Sequence, residues 1–258
     1  MDADLIVQIL FAAIKTGTPL LFIALGEVIC EKSGVLNLGQ EGMMLMGAVV
    51  GFLAAYGSGN MGFGILAAMA MGSIMSLIFA ALVLHIGANQ VATGLALTIF
   101  GTGLSAFIGA DFVGQTIQGF QPIAIPLLSD IPYIGRIIFS HDILVYFSFF
   151  MTALLVYVVN KTRMGLTLKA VGENPHAANA IGIKVLRVRY LAVMFGGAMA
   201  GTAGAYMSLV YTPMWVEGMT AGRGWIALAL VVFASWRVGR IMLGAYLFGL
   251  ASIMHLVL

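Results

Sequence analysis

From Gly42 to Ala110 the chain carries no Asp, Glu, Lys or Arg. A helix needs roughly 20 apolar residues to cross the hydrocarbon core of a bilayer, so this stretch alone has room for about three crossings. A chain folding in water could not hide that much apolar surface. Only 9% of its residues are charged and 61% are hydrophobic, against about 25% charged in an ordinary soluble domain. Strands of a membrane barrel alternate apolar and polar residues in segments of about 10, whereas these runs are apolar throughout. The expected fold is all-α, a polytopic transmembrane helical bundle forming one domain over 1–258.

Hydrophobic segments fall at 5–28, 43–56, 62–85, 88–109, 143–159, 189–212, 224–235 and 241–258. Two are too short for a straight crossing. The 43–56 segment follows SGVLNLGQEG at 33–42, and the 224–235 segment follows EGMTAGRG at 217–224. Short apolar segments interrupted by Gly are the mark of broken helices, whose irregular backbone survives at membrane depth only inside protein or beside a water-filled cavity. Ordinary loops joining slightly short helices are the other reading. Leu258 ends the chain in the middle of an apolar run with no polar flank, the pattern expected of a C-terminal truncation.

Charge orients the bundle. Residues 160–189 hold Lys161, Arg163, Lys169, Lys184, Arg187 and Arg189 against one acid, Glu173. Residues 110–142 hold Asp111, Asp130 and Asp142 against one Arg. Cytoplasmic loops are enriched in Lys and Arg, which places 160–189 in the cytoplasm and 110–142 outside. Asp2 and Asp4 lean the N-terminus outward. A net charge of +2 gives no reason to expect nucleic acid, and the single cysteine, Cys30, excludes an internal disulfide. The N-terminus lacks the basic stretch of a cleavable signal peptide, so the first segment is expected to be retained.

The basic loop contains a short helix with clear ends. Asn174 is a good N-cap, Pro175 suits the first helical position and Gly182 the C′ position. A helix this short is marginal alone. It either docks against something or merely connects two spans. A second group of polar residues, Asn37, Gln40 and Glu41 with Asn89, Gln90 and Thr93, lies among apolar segments. Such groups either line a pathway or hold helices together. Arg223, between two glycines, either lines the pathway or anchors a half-helix. Lys15 either snorkels to an interface or pairs with Glu27 or Glu41. No phosphate loop, metalloprotease or esterase motif occurs, and the four His residues show no metal-ligand spacing.

Several long phrases resemble the permease subunits of bacterial ABC importers, the family of branched-chain amino acid, ribose and nucleoside permeases. They are TPLLFIALGEVICEKSGVLNLGQEGMMLMGA, ANQVATGLALTIFGTGLSAFIG, TRMGLTLKAVGENPHAANAIGIKVLRVRYLAVMFGGAMAGTAGAY and TAGRGWIALALVVFASW. The similarity is strongest to the nucleoside and simple-sugar branch. It implies a non-enzymatic, multi-pass subunit of the bacterial plasma membrane that moves a nucleoside or simple sugar by alternating access. It implies ATP-binding cassette subunits as partners, with ATP used there and no cofactor bound here. A second homologous permease and an extracytoplasmic substrate-binding protein complete the implied assembly.

By the same resemblance, Glu173, Asn174, Pro175, His176, Ala177, Ala178 and Gly182 form the helix that couples to the ATPase, with His176 where a Glu is often found. Val238 stands where the family's Trp-Arg pair is typically followed by Pro. An ion-gradient-driven secondary transporter is the rival reading, with Glu41 its candidate mid-membrane carboxylate.

Overall fold

The computed structural model describes residues 3–123, 125, 126, 128, 129 and 131–257, with side chains from Asp4 to Met254. Asp2, Asp130 and Leu258, which entered the charge and chain-end arguments, lie outside the described residues. Helices follow one another as α1 (Ala3–Lys32), α2 (Gln40–Ser58), α3 (Met61–Leu84), α4 (Gln90–Gly109), α5 (Ile134–Ile138) and α6 (Ile143–Lys161). Then come α7 (Arg163–Glu173), α8 (Pro175–Ala180), α9 (Val185–Tyr206), α10 (Arg223–Phe233) and α11 (Val238–Val257). One π turn, Met207–Tyr211, extends α9. Among the described residues, six helices are long and apolar enough to cross a membrane, and α10 and α11 add shorter apolar ones. The extended pairings are isolated bridges of Val113 to Trp215 and Thr116 to Met214.

The ends of the bundle differ in charge as the loops predict. At the acidic end Phe11 of α1 stacks on His141, with ring centroids 4.3 Å apart. Asp142 caps α6 there, its Oδ1 accepting from the backbone N–H of Leu144 (3.0 Å) and Val145 (3.2 Å). Burial pushes that carboxyl above the usual range, against the pull of those hydrogen bonds. At the basic end α1 stops against α7, where Lys32 and Gly34 abut Gly172. The N-terminus of α1 therefore lies at the same end as 110–142.

Small residues set the core. Helix α9 is buried over most of its length, because its glycines let neighbouring backbones come close. A Cβ on Gly26 would stand 2.9 Å from the Gly196 carbonyl oxygen of α9, and one on Gly72 of α3 only 2.9 Å from the Gly201 nitrogen. Substituting Gly72 by Leu is expected to force α3 away from α9 and to destabilise the protein by roughly 1–3 kcal/mol, the usual overpacking cost. Thermal unfolding of the purified protein in detergent reads this. An unchanged midpoint would mean the two helices are not locked face to face.

Two elements differ from the sequence expectation. The 43–56 segment becomes a 19-residue helix, because Gln40, Glu41 and Gly42 join it once their polar groups find partners inside the protein. The basic loop holds two helices rather than one. Thr162 caps α7 through its Oγ1, which accepts from Gly165 N–H at 3.3 Å. The 224–235 segment does stay short. Gly222 (φ 80°) stops the chain before α10, and Ser235 and Trp236, both at positive φ, stop it after.

Candidate functional site

After α1 ends at Lys32 the chain turns back, and residues 33–39 run alongside the helix they have just left. The N–H of Asn37 donates to Glu27 Oε1 at 2.9 Å, and Gln40 Nε2 donates to Glu27 Oε2 at 2.5 Å. Glu27 lies five residues before the end of α1, about 7.5 Å at the helical rise. So α2 begins inside the bundle rather than at its edge. All three side chains are fully buried. Asn37 also closes its own turn, its Oδ1 accepting from Gly39 N–H at 3.0 Å. Irregular backbone is tolerated at this depth because its polar groups are met by protein.

From the opposite end a second irregular stretch, 212–222, enters the bundle, and the two meet at Glu41. One carboxylate oxygen of Glu41 accepts from the Thr220 hydroxyl (2.5 Å) and the Gly222 N–H (2.9 Å), and the other accepts from the Gly224 N–H (2.6 Å). A helix start leaves four N–H groups without intrahelical partners, and Gly222 offers no side chain to cap α10. Glu41 supplies that cap from another helix, and its negative charge faces the positive pole of α10. Gly224 is required here, since a Cβ would come within 2.7 Å of the Glu41 backbone.

The polar residues at the start of α4 are placed apart from this junction, whereas Arg223 adjoins it. Asn89 is exposed and caps α4, its Oδ1 accepting from Ala92 N–H at 3.0 Å. Gln90 accepts the Leu36 N–H on its Oε1 at 2.8 Å. Thr93 is half-buried one turn into α4, its N–H bonded to the Asn89 carbonyl at 2.9 Å. Arg223 turns back on its own approach, its guanidinium donating to the Thr220 carbonyl at 3.1 Å and lying 5.7 Å from the Tyr211 ring centre. Lys15 stands twelve residues, about 18 Å, up α1 from Glu27 and is not among the groups holding either carboxylate.

An open cleft of about 570 Å³ lies between the irregular 34–38 segment, α4 and α10 at the basic end, with Glu31, Leu36, Gln90, Leu228 and Trp236 on its walls. Trp236 Nε1 donates to Glu31 across it. Of the polar residues singled out in the sequence, Gln90 faces this cleft. Asn37 and Gln40 sit behind its wall.

At the basic end α8 takes the form its sequence indicates. Asn174 Oδ1 accepts from Ala177 N–H at 2.9 Å, Pro175 occupies the first turn and Gly182 has φ 86°. Its alanines differ: Ala178 is buried against its own chain, whereas Ala177 and Ala180 are exposed, as are His176 and Asn179. Glu173 ends α7 and is exposed as well.

Sequence reasoning singled out neither Thr220 nor Glu27 as a hub. The signal for Glu27 was available: it is a carboxylate inside an apolar segment, and such groups need partners. Nothing in the local sequence marks Thr220, because its partner lies 179 residues away.

Comparison with known proteins places this chain among transporter subunits. A family model described as branched-chain amino acid transport system / permease component matches residues 9–258. The Haloferax volcanii ABC transporter permease protein TsgC13, named for glucose, is 42% identical over 254 residues, which cover 96% of this chain and 77% of that one. The guanosine ABC transporter permease protein NupQ of Bacillus subtilis is 34% identical over 273 residues, covering 100% and 85%. Among solved structures, an inward-facing ABC transporter of metal-chelate type matches 94% of this chain and 74% of that one with a TM-score of 0.54 at 13% identity. That likeness concerns the fold alone.

Proposed function

The chain belongs to the family of branched-chain amino acid transport system permease components and is a membrane-spanning, non-enzymatic subunit of an ABC transporter; we propose that its cargo is a nucleoside or a simple sugar, moved by alternating access. As such a permease it works with ATP-binding cassette subunits, which supply the hydrolysis. A second homologous permease and an extracytoplasmic binding protein complete the proposed assembly, in a bacterial plasma membrane with the basic end in the cytoplasm.

The observation that carries the mechanism is the Glu41 junction. Two irregular segments enter the bundle from opposite ends and are joined there by one side chain. Breaks of this kind let one half of a bundle move against the other without melting a helix. Glu41 and Glu27 are the buried carboxylates of this region that an ion-driven mechanism could use, but three donors already engage Glu41 and two engage Glu27, which favours a structural role. We assign the inner mouth of the route to the cleft beside Gln90, with Asn89 capping α4 just before it, Thr93 one turn further along and Arg223 steadying the start of α10. Glu27, Asn37, Gln40 and Glu41 shape the wall behind. The uncharged amides of Asn89 and Gln90 suit a cargo recognised by hydrogen bonds rather than by charge.

The subunit, co-expressed with its ATPase and partner permease, should take up labelled guanosine or glucose, and unlabelled cargo of the same class should compete. Uptake that follows an ion gradient and ignores ATP depletion would overturn the reading. Gln90→Ala is expected to lower uptake severalfold without loss of assembled protein. Normal uptake by that variant would move the route elsewhere.

A further inference from the structure

Between α6, α7 and α9 runs an apolar groove of about 490 Å³, walled by Met151, Leu155, Val159, Ala192 and Phe195. Its size falls within the usual range for ligand sites, about 300–1,000 Å³. Leu154 and Leu191 edge the groove and are exposed. It therefore opens sideways, from the flanks of two membrane-crossing helices, and not onto the cleft beside Gln90.

The end of the groove is charged. Gly165 packs so closely on the backbone of Val158 and Val159 that no Cβ would fit, which pins the first turn of α7 across the end of α6. Arg163 is thereby held at the mouth of the groove, exposed. Lys161 and Lys169 are exposed at the same end. Met164 and Leu166 of α7 are also exposed, at 75% and 69%. A helix with a charged side and protruding apolar side chains, lying at the end of a bundle, suits the headgroup layer of a bilayer.

We propose that this groove is a binding site for an anionic phospholipid, with an acyl chain along the apolar wall and the phosphate on Arg163. The guanidinium fork matches two phosphate oxygens at once, and basic pockets between membrane helices on the cytoplasmic side recruit such headgroups. Charge complementarity selects this occupant: a neutral lipid fills the same wall but leaves the net charge at the mouth unanswered. The site stands apart from the cargo route and does not depend on which cargo is carried.

The test is native mass spectrometry of the full chain with its accompanying subunits, extracted in mild detergent and supplied with phosphatidylglycerol or phosphatidylcholine. Phosphatidylglycerol should be retained in preference. Arg163→Gln should lower that preference by about fivefold, the effect of one basic residue near an anionic surface, while Arg163→Lys keeps part of it. Leu154→Trp, which narrows the groove and leaves the charge, should weaken retention of both lipids. Equal retention of the two lipids by the unaltered protein, or an unchanged preference in Arg163→Gln, would overturn the proposal. So would a cysteine placed at Leu191 that cross-links to a partner subunit, since the groove would then be a protein interface.

Discussion

Replacing Glu41 by Ala is expected to cost roughly 3 kcal/mol or more, because three donors are left without an acceptor and each orphaned buried group costs about 1–3 kcal/mol. The Thr220 hydroxyl and the N–H groups of Gly222 and Gly224 all converge on this carboxylate. In a protein of this size each kcal/mol moves the melting midpoint by roughly 2–4 °C, so a fall of about 10 °C should be visible in detergent. Glu41→Gln keeps the size and one acceptor oxygen but turns an amide N–H toward other N–H groups, and should fall between. The readout is thermal unfolding followed by size-exclusion chromatography, alongside uptake at a temperature where both variants remain folded. If the Ala variant melts like the unaltered protein, α10 is not held by this cap.

The second large effect concerns α8. Ala177 lies on its exposed side, whereas Ala178 faces the chain's own interior. On the proposal that α8 docks the ATPase, as the family resemblance implies, Ala177→Trp should leave the membrane subunit folded and wedge the ATPase away. A disruption at the centre of a protein interface costs roughly 2 kcal/mol or more, which is about thirtyfold in affinity. Co-purification of the ATPase should fall accordingly, and substrate-stimulated ATP hydrolysis should be lost. Ala178→Trp is the contrasting variant: it should damage the subunit itself, lowering its own melting midpoint. A fully coupled Ala177→Trp complex would show that the motor grips another part of the basic end, with Arg237 and Arg240 the next residues to alter.

Most of the bundle is legible in the sequence because a membrane crossing is a local property. The eight apolar runs correspond one by one to α1, α2, α3, α4, α6, α9, α10 and α11, since length and hydropathy alone decide them. Caps are equally local, and Asn174, Pro175 and Gly182 stand where their chemistry indicates. The polar residues were harder to read. Their presence at membrane depth announces that they need partners, but partner choice depends on tertiary approach. Hence Asn37 and Gln40 turn to Glu27, Glu41 reaches Thr220, and only Gln90 comes to the cleft. The half-helix expectation for 43–56 missed its first turn for the same reason. Gln40 and Glu41 look like loop residues until the groups that satisfy them are in place.

The π turn at Met207–Tyr211 gives the Glu41 junction a buffer against a change in residue count. It fits one more residue into a turn than an α-helix would, with the Thr212 N–H reaching the Met207 carbonyl. Such turns occur mostly as single insertions within α-helices, frequently at functional sites. Removing one residue there would let α9 heal into regular helix, with little local harm. The chain beyond it would nearly keep its phase, because the five residues of the π turn advance about as far around the axis as four residues of α-helix, roughly 400°, and the 212–222 stretch would still bring Thr220 and Gly222 to the Glu41 carboxylate. A deletion elsewhere in α9 has no such outlet and would rotate all that follows by about 100°, so a lineage could drop a position from this turn more readily than from the rest of the helix.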